Sequence, residues 1–144
     1  MKIKAVCAVA ALSFALAACA TPPKQVSFKN SETYNLSKDE TWERLLSFFT
    51  SNHVQIKTIE KDSGVIYAER SAVDAGMADC GEAPLVAEIA RTGTLNVFVR
   101  PKGGQTEVTV NSEFRVIRMF DNQTFTVACF STGMLETAIL ASIR

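Results

Sequence analysis

The sequence has little of what most catalytic and metal sites require. Of its 144 residues one is a histidine, His53, and four are cysteines. Lysine and arginine number 15 and are balanced by 15 aspartates and glutamates. Because nucleic-acid binding depends on an excess of basic side chains, this balance disfavours a nucleic-acid partner. A lone histidine and a few cysteines do not supply a convincing set of metal ligands, and no cofactor is predicted.

The amino terminus holds the longest apolar run of the sequence. Lys2 and Lys4 precede 14 almost uniformly apolar residues, Ala5 to Ala18. This run is shorter than the roughly 20 residues that a helix needs to cross the hydrocarbon core. A basic start, a short apolar middle and small residues at the exit are typical of a targeting segment, which takes no part in the fold.

The residues Leu16-Ala17-Ala18-Cys19 resemble the lipobox of a bacterial lipoprotein signal peptide. The resemblance implies that residues 1–18 are removed as a signal peptide and that Cys19 is acylated, for example with palmitate, as the membrane anchor. Ala20 stands where an aspartate typically retains such proteins at the inner membrane, so the resemblance implies the outer membrane, with the domain in the periplasm. Several acyl chains anchor a protein stably, whereas one binds only marginally. The alternative is an ordinary secretory signal in which Cys19 is incidental.

Two cysteines, Cys80 and Cys129, remain after the signal peptide and the acylated Cys19. An oxidising compartment favours one disulfide between them. It closes a loop of about 50 residues, a constraint worth on the order of 4 kcal/mol in the chain-entropy model. The bond requires the two Cα atoms to lie within about 7 Å of each other. The alternative is a pair of reduced, buried thiols.

The mature chain divides into a short leader and one domain. Residues 19–29 are interpreted as the lipidated cysteine and a tether that begins with two prolines, and eight extended residues (20–27) reach roughly 25 Å. Residues 30–144 form a single domain, because the 126 residues after the signal peptide are enough for one core and too few for two.

The pattern of apolar residues predicts the order β-α-β-β, a long loop, then β-β-β-α. Ser37 and Glu40 form a capping box before the first helix, and Asn52 is suited to a left-handed cap at its end. Turns are predicted at residues 101–104 and 121–123, between strands with alternating apolar residues. The first helix carries one apolar stripe at helical spacing, formed by Trp42, Leu45, Leu46 and Phe49.

This order predicts an α+β fold, a curved antiparallel sheet with two helices packed on one face. The arrangement is similar to the helix-grip domains of BamC-type lipoproteins, which are associated with outer-membrane protein assembly. The resemblance is topological, covers residues 30–144 and includes no shared motif, so it implies no binding residue.

Residues 71–93 form an unusually long connection for a small domain. They contain Cys80 and a run, Leu85 to Ala90, that is predicted to form one or two helical turns. Connections of this length are usually functional or partly mobile. The preferred interpretation is a surface excursion held by Cys80, and the alternative is a contact surface for an envelope protein partner.

Three function classes remain open. The absence of a catalytic pattern favours a non-enzymatic envelope adaptor or structural component, with no catalytic residue predicted. A carrier of a lipid or other apolar ligand requires a cavity between sheet and helices. An enzyme would use Ser131 or Thr132, at the start of the last helix, as its nucleophile. His53 is interpreted as structural or solvated.

Overall fold

The computed structural model describes residues 20–144, so the predicted signal peptide and Cys19 lie outside the described residues. Residues 20–144 contain seven strands and two helices, with a single 3-10 turn, Ala75–Met77, before the fourth strand. In chain order the elements are β1 Ser31–Tyr34, α1 Lys38–Ser51, β2 Gln55–Glu60, β3 Val65–Arg70, β4 Ala78–Asp79, β5 Ala87–Lys102, β6 Gln105–Phe120, β7 Gln123–Ser131 and α2 Met134–Ala141.

The strands form one open, antiparallel sheet. Its order is β2-β3-β5-β6-β7-β4, and β1 pairs with β6 alone. β1 and β7 share one edge of β6, since Tyr34 lies opposite Thr106 in the first half of β6 and Cys129 lies opposite Phe114 in the second half. The predicted α+β class, a curved antiparallel sheet with two helices, is confirmed, and the two-residue strand β4 is the one addition to the predicted order.

One face of the sheet packs against the helices. On β5, Leu95 and Val97 are buried, whereas Asn96 between them is only half-buried on the opposite face. Val110 of β6 pairs with Val97 and is buried as well. This alternation is expected for an antiparallel sheet with one solvated face. The helices complete the core with Trp42, Leu45 and Phe49 from α1 and Leu135, Ile139 and Leu140 from α2.

The start of α1 is the predicted capping box. Ser37 Oγ accepts a hydrogen bond from the backbone amide of Glu40 at 3.2 Å. Glu40 Oε2 accepts one from the amide of Ser37 at 3.0 Å. Two amides at the helix start are therefore satisfied reciprocally.

The left-handed residue that follows α1 is His53, one position beyond the predicted Asn52. Asn52 has φ −102°, and His53 is the left-handed residue, with φ 53°. The amide of Val54 donates to the Phe49 carbonyl at 3.0 Å and that of His53 to the Thr50 carbonyl at 3.4 Å. These two bonds form a Schellman motif, so the backbone of His53 terminates the helix.

Two hairpin turns mark the opposite ends of β6, both near predicted turn positions. Gly103 and Gly104 connect β5 to β6, with φ 57° and 82°. Asp121 and Asn122 connect β6 to β7, with φ 46° and 61°. Two-residue loops with positive φ at both positions suit the right-handed twist of the strands they join.

The predicted helical turns at 85–90 are wrong, because β5 begins at Ala87. Ala87 lies opposite Met119 at the end of β6. The register shifts around Ile89, which is the extra residue of a β-bulge. The bulge interrupts the alternation of apolar and polar residues, and the sequence pattern consequently does not resemble a strand.

Candidate functional site

A disulfide joins the long connection to the last strand. The Sγ atoms of Cys80 and Cys129 are 2.05 Å apart and their Cα atoms 4.3 Å apart. Strand β4, immediately before Cys80, pairs with the end of β7, where Ala78 lies opposite Ser131. The connection thus folds back over β7, as the predicted pairing requires.

The side chain of Arg118, on the core-facing side of β6, binds the same connection through hydrogen bonds. Its guanidinium is buried and donates to the carbonyls of Cys80 at 3.0 Å and Gly81 at 2.7 Å. Arg91, from β5, donates to the carboxylate of Glu88 and, at 3.4 Å, to the carbonyl of Ala78. Buried guanidinium groups require several acceptors, and here the backbone of the connection supplies them.

The segment predicted as a tether lies against this connection. The backbones of Thr21 and Glu82 exchange two hydrogen bonds, of 3.0 and 2.9 Å. Asp79 accepts from the amides of Gly81 at 2.8 Å and Lys24 at 3.1 Å, and these two amides lower the pKa of its carboxyl group. The chain is therefore held on the domain from Thr21 onwards, and the predicted 25 Å reach does not apply to it.

The same segment continues along the sheet edge. A Cβ placed on Gly133 would lie 2.5 Å from the ring of Phe28, so this ring packs directly on the start of α2. The carbonyl of Asn30 accepts from the amide of Val110 at 2.8 Å. Residues 21–30 thus cover the edge of β6 and α2 and form part of the domain surface.

Four large apolar side chains are exposed where these pieces meet. Leu85 is 80% exposed, Ile89 53%, Phe120 57% and Phe125 43%. The first two flank the start of β5, and the other two flank the β6–β7 turn beside it. We call this group, Leu85, Ile89, Phe120 and Phe125, the apolar end of the sheet. It includes part of the connection that the sequence indicated as a contact surface.

A buried carboxylate lies at the start of α2. Glu136, in the first turn of this helix, is 1% exposed. Its oxygens accept hydrogen bonds from Ser112 Oγ and, at 2.9 Å, from Ser131 Oγ. Ser131 Oγ in turn accepts from the amide of Gly133 at 3.0 Å. The hydroxyl proposed as a nucleophile is thus engaged in forming the helix start.

A surface cleft of about 370 Å³ lies beside these serines. Val26, Phe28 and Phe130 supply apolar walls, and Glu113 and Arg115 supply charges. His53 is not among its lining residues, since it ends α1, and Thr132 Oγ1 donates to the carbonyl of Gly76 at 2.7 Å instead of facing a base. The candidate nucleophiles and the single histidine are not brought together.

Sequence reasoning missed Arg118, Glu136 and the docking of Thr21. Arg118 lies on the core-facing side of β6, because it follows Phe114 and Val116 at steps of two residues. This spacing was the signal in the sequence from which its burial could have been predicted. Glu136 precedes Ile139 by three positions and so shares its helix face. The docking of Thr21 has no local sign, because its partner Glu82 is remote in the sequence.

Among residues 20–144 no helix is long and apolar enough to span a bilayer. The same part of the chain contains no group of three or more metal-ligating side chains. In comparisons with known proteins, no family model and no curated protein matches this chain.

Proposed function

We propose that this chain is an outer-membrane lipoprotein, anchored through acylated Cys19, whose periplasmic domain acts as a non-enzymatic envelope adaptor or structural component. The observation that carries the proposal is the docking of the chain immediately after the lipobox. Thr21 pairs with Glu82 only two residues beyond Cys19, so an acyl anchor at Cys19 would join a disulfide-held part of the domain almost directly. The 71–93 connection supplies the exposed surface for contacts with the envelope.

The interior supports a structural role over the carrier alternative. The layer between sheet and helices is filled by fully buried side chains, the largest of which are Phe49, Leu45, Ile66, Leu95 and Ile139. The cleft near Ser131 lies at the surface and carries a carboxylate and a guanidinium, Glu113 and Arg115. A site for an apolar ligand is instead mostly apolar and encloses most of the ligand.

The polar side chains that could suggest an enzyme have structural partners. Ser131 and Ser112 donate to Glu136, and Thr132 donates to Gly76. A nucleophile needs a base that is free to take its proton. Here the carboxylate and both serines instead join α2 to β6 and β7.

The substitution Cys19→Ala tests the anchor. Without its thiol the chain has no acylation site, so labelled palmitate should not be incorporated and the protein should leave the outer-membrane fraction. Cys7→Ala is the matched control, since Cys7 lies in the apolar run of the signal peptide and its loss should leave label and membrane retention unchanged. A Cys19→Ala chain that still incorporates palmitate and floats with outer membranes would refute the proposed anchor.

A further inference from the structure

We infer that the apolar end of the sheet rests on the bilayer surface beside the anchor, so that the domain is held in one orientation on the membrane. The inference rests on the proposed acylation of Cys19. Its occupant is the interfacial region of a phospholipid bilayer. The observations that carry it are where the chain is held, which side chains are exposed there and how rigidly that end is built.

The first observation is the position of the chain start. Two residues span at most about 7 Å, so an acyl anchor at Cys19 would be attached within that distance of Thr21. The Thr21–Glu82 pair fixes this point, and Leu85 follows Glu82 by three residues. Acyl chains on Cys19 therefore enter the bilayer next to the exposed apolar side chains.

The second observation is the distribution of exposed apolar side chains. Among the described residues, eight large apolar side chains are exposed, and four of them are Leu85, Ile89, Phe120 and Phe125. Arg118 links the two stretches that carry these side chains. It lies opposite Phe125 in the sheet and donates a hydrogen bond to the carbonyl of Gly81, next to Glu82. Exposed apolar groups concentrated in this way mark contact surfaces, and aromatic side chains are favoured at the membrane interface.

The third observation is the charge around these side chains. Glu82 and Asp121 are exposed there, whereas Arg118 is buried and Arg91 is engaged with Glu88. The region offers no free basic cluster of the kind that attracts anionic lipids. Apolar insertion next to a covalent anchor requires no such cluster, so contact is expected on a zwitterionic bilayer as well.

The fourth observation is rigidity. The Cys80–Cys129 disulfide, the β4–β7 pairing and the buried Arg118 hold the connection to the sheet. The apolar end and the chain start thus move as one unit. Acyl chains and apolar side chains can then reach the bilayer together. The domain is thereby held at one tilt relative to the membrane, whereas a flexible tether would let it rotate freely.

A photocrosslinking experiment tests the contact. A benzophenone side chain (p-benzoylphenylalanine) replaces Phe120 in the full chain, and the acylated protein is purified in detergent and reconstituted into phosphatidylcholine vesicles. The matched control carries the same group at Ile59, which is 44% exposed on β2 at the far edge of the sheet. We expect a phospholipid adduct in the intact mass from position 120 and none above background from position 59.

Each other outcome overturns a defined part of the argument. Palmitate label measured in the same samples reports the anchor separately. An acylated protein that gives no lipid adduct at position 120, or that crosslinks there to another protein or a second copy, refutes the bilayer contact and leaves the anchor intact. An unlabelled protein refutes the proposed function, and the inference with it. Leu85, the most exposed of the four, provides a second labelling position if the Phe120 variant folds poorly.

Discussion

The two ends of the β5–β6 hairpin are built by the same strands and differ in what they expose. Around Gly103–Gly104, residues 100–105 are exposed without a large apolar side chain other than Pro101, and Lys102 pairs with Glu107. We call residues 100–107 the polar end. The apolar end instead exposes two aromatic and two aliphatic side chains. Because the polar end forms a turn with Pro101 as its one exposed apolar side chain, a turn in this fold does not by itself require the four exposed apolar side chains of the other end.

The largest expected effect tests whether both ends depend on one core. Trp42 is buried under the sheet at 2% exposure, and Trp42→Ala should lower the free energy of unfolding by about 3–5 kcal/mol. That is a large part of the roughly 5–15 kcal/mol typical of a domain. Chemical denaturation measures the loss, and Leu85→Ala, at an exposed site, should stay within about 0.5 kcal/mol. A Trp42→Ala protein of normal stability would contradict the packing described.

Removal of the disulfide should affect hydrogen exchange differently at the two ends of the β5–β6 hairpin. The double variant Cys80→Ala, Cys129→Ala should lose about 2–4 kcal/mol, mainly through a less constrained unfolded state. Hydrogen exchange should increase first in residues 78–82 and 129–132, while residues 95–110 near the polar end keep their protection. Reduction of the unsubstituted protein is the control and should give the same pattern. Equal deprotection of both ends would show that the disulfide does not act locally.

Alkaline pH should destabilise the folded protein through Tyr34, which lies near the polar end. Tyr34 lies opposite Thr106 and donates to the Leu140 carbonyl at 2.6 Å, and burial raises its pKa to about 12. Its unfolded pKa is about 10, so the unfolded state ionises first. The stabilisation it contributes is present below about pH 10 and is lost as the pH rises towards 12.

Thermal unfolding midpoints between pH 8 and 11.5 measure this loss. Tyr34→Phe should cost about 1 kcal/mol at neutral pH and should flatten the alkaline decline. The control is Tyr67→Phe, since Tyr67 is half-buried and donates to Glu69, and this variant should keep the decline that depends on Tyr34. An unchanged alkaline slope in Tyr34→Phe would assign the decline to other groups.

The smallest effect compares the two turns directly. Asn122 has φ 61° at the apolar end, where the polar end uses Gly104 with φ 82°. Asn122→Gly should relieve left-handed strain and stabilise the protein by at most about 1 kcal/mol. Gly104→Ala introduces that strain and should destabilise it by about 1 kcal/mol or more. Matched denaturation curves compare the two, and a destabilising Asn122→Gly would mean that the Asn122 side chain itself holds the turn.

The local signals in the sequence were sufficient for the elements that depend on local contacts. The Ser37 capping box, the Trp42 stripe and the alternating strands around the 101–104 turn each depend on residues a few positions apart, and each was predicted correctly. The wrong prediction at 85–90 has a non-local cause. Ala87 is extended because it pairs with Met119, more than 30 residues later, and the bulge at Ile89 conceals the strand pattern.

The candidate site was predictable only in its covalent part. The pairing of Cys80 with Cys129 was predicted from the count, because the expected signal peptide and acylation set Cys7 and Cys19 aside and leave these two cysteines. The apolar end is assembled from two separate stretches, and no short window of sequence contains both Leu85 and Phe120. The docking of Thr21 on Glu82 is likewise a product of tertiary structure, and residues 20–27 on their own have the composition of a linker.

The length of the β5–β6 hairpin has a consequence for the space that the protein occupies. Each strand has 16 residues, and at about 3.3 Å per residue the hairpin measures at most about 50 Å from end to end. If the apolar end rests on the membrane as proposed, the Gly103–Gly104 turn lies at most about that far from the lipid headgroups. The sheet would then hold the polar end, and a partner bound to it, at a defined distance from the bilayer.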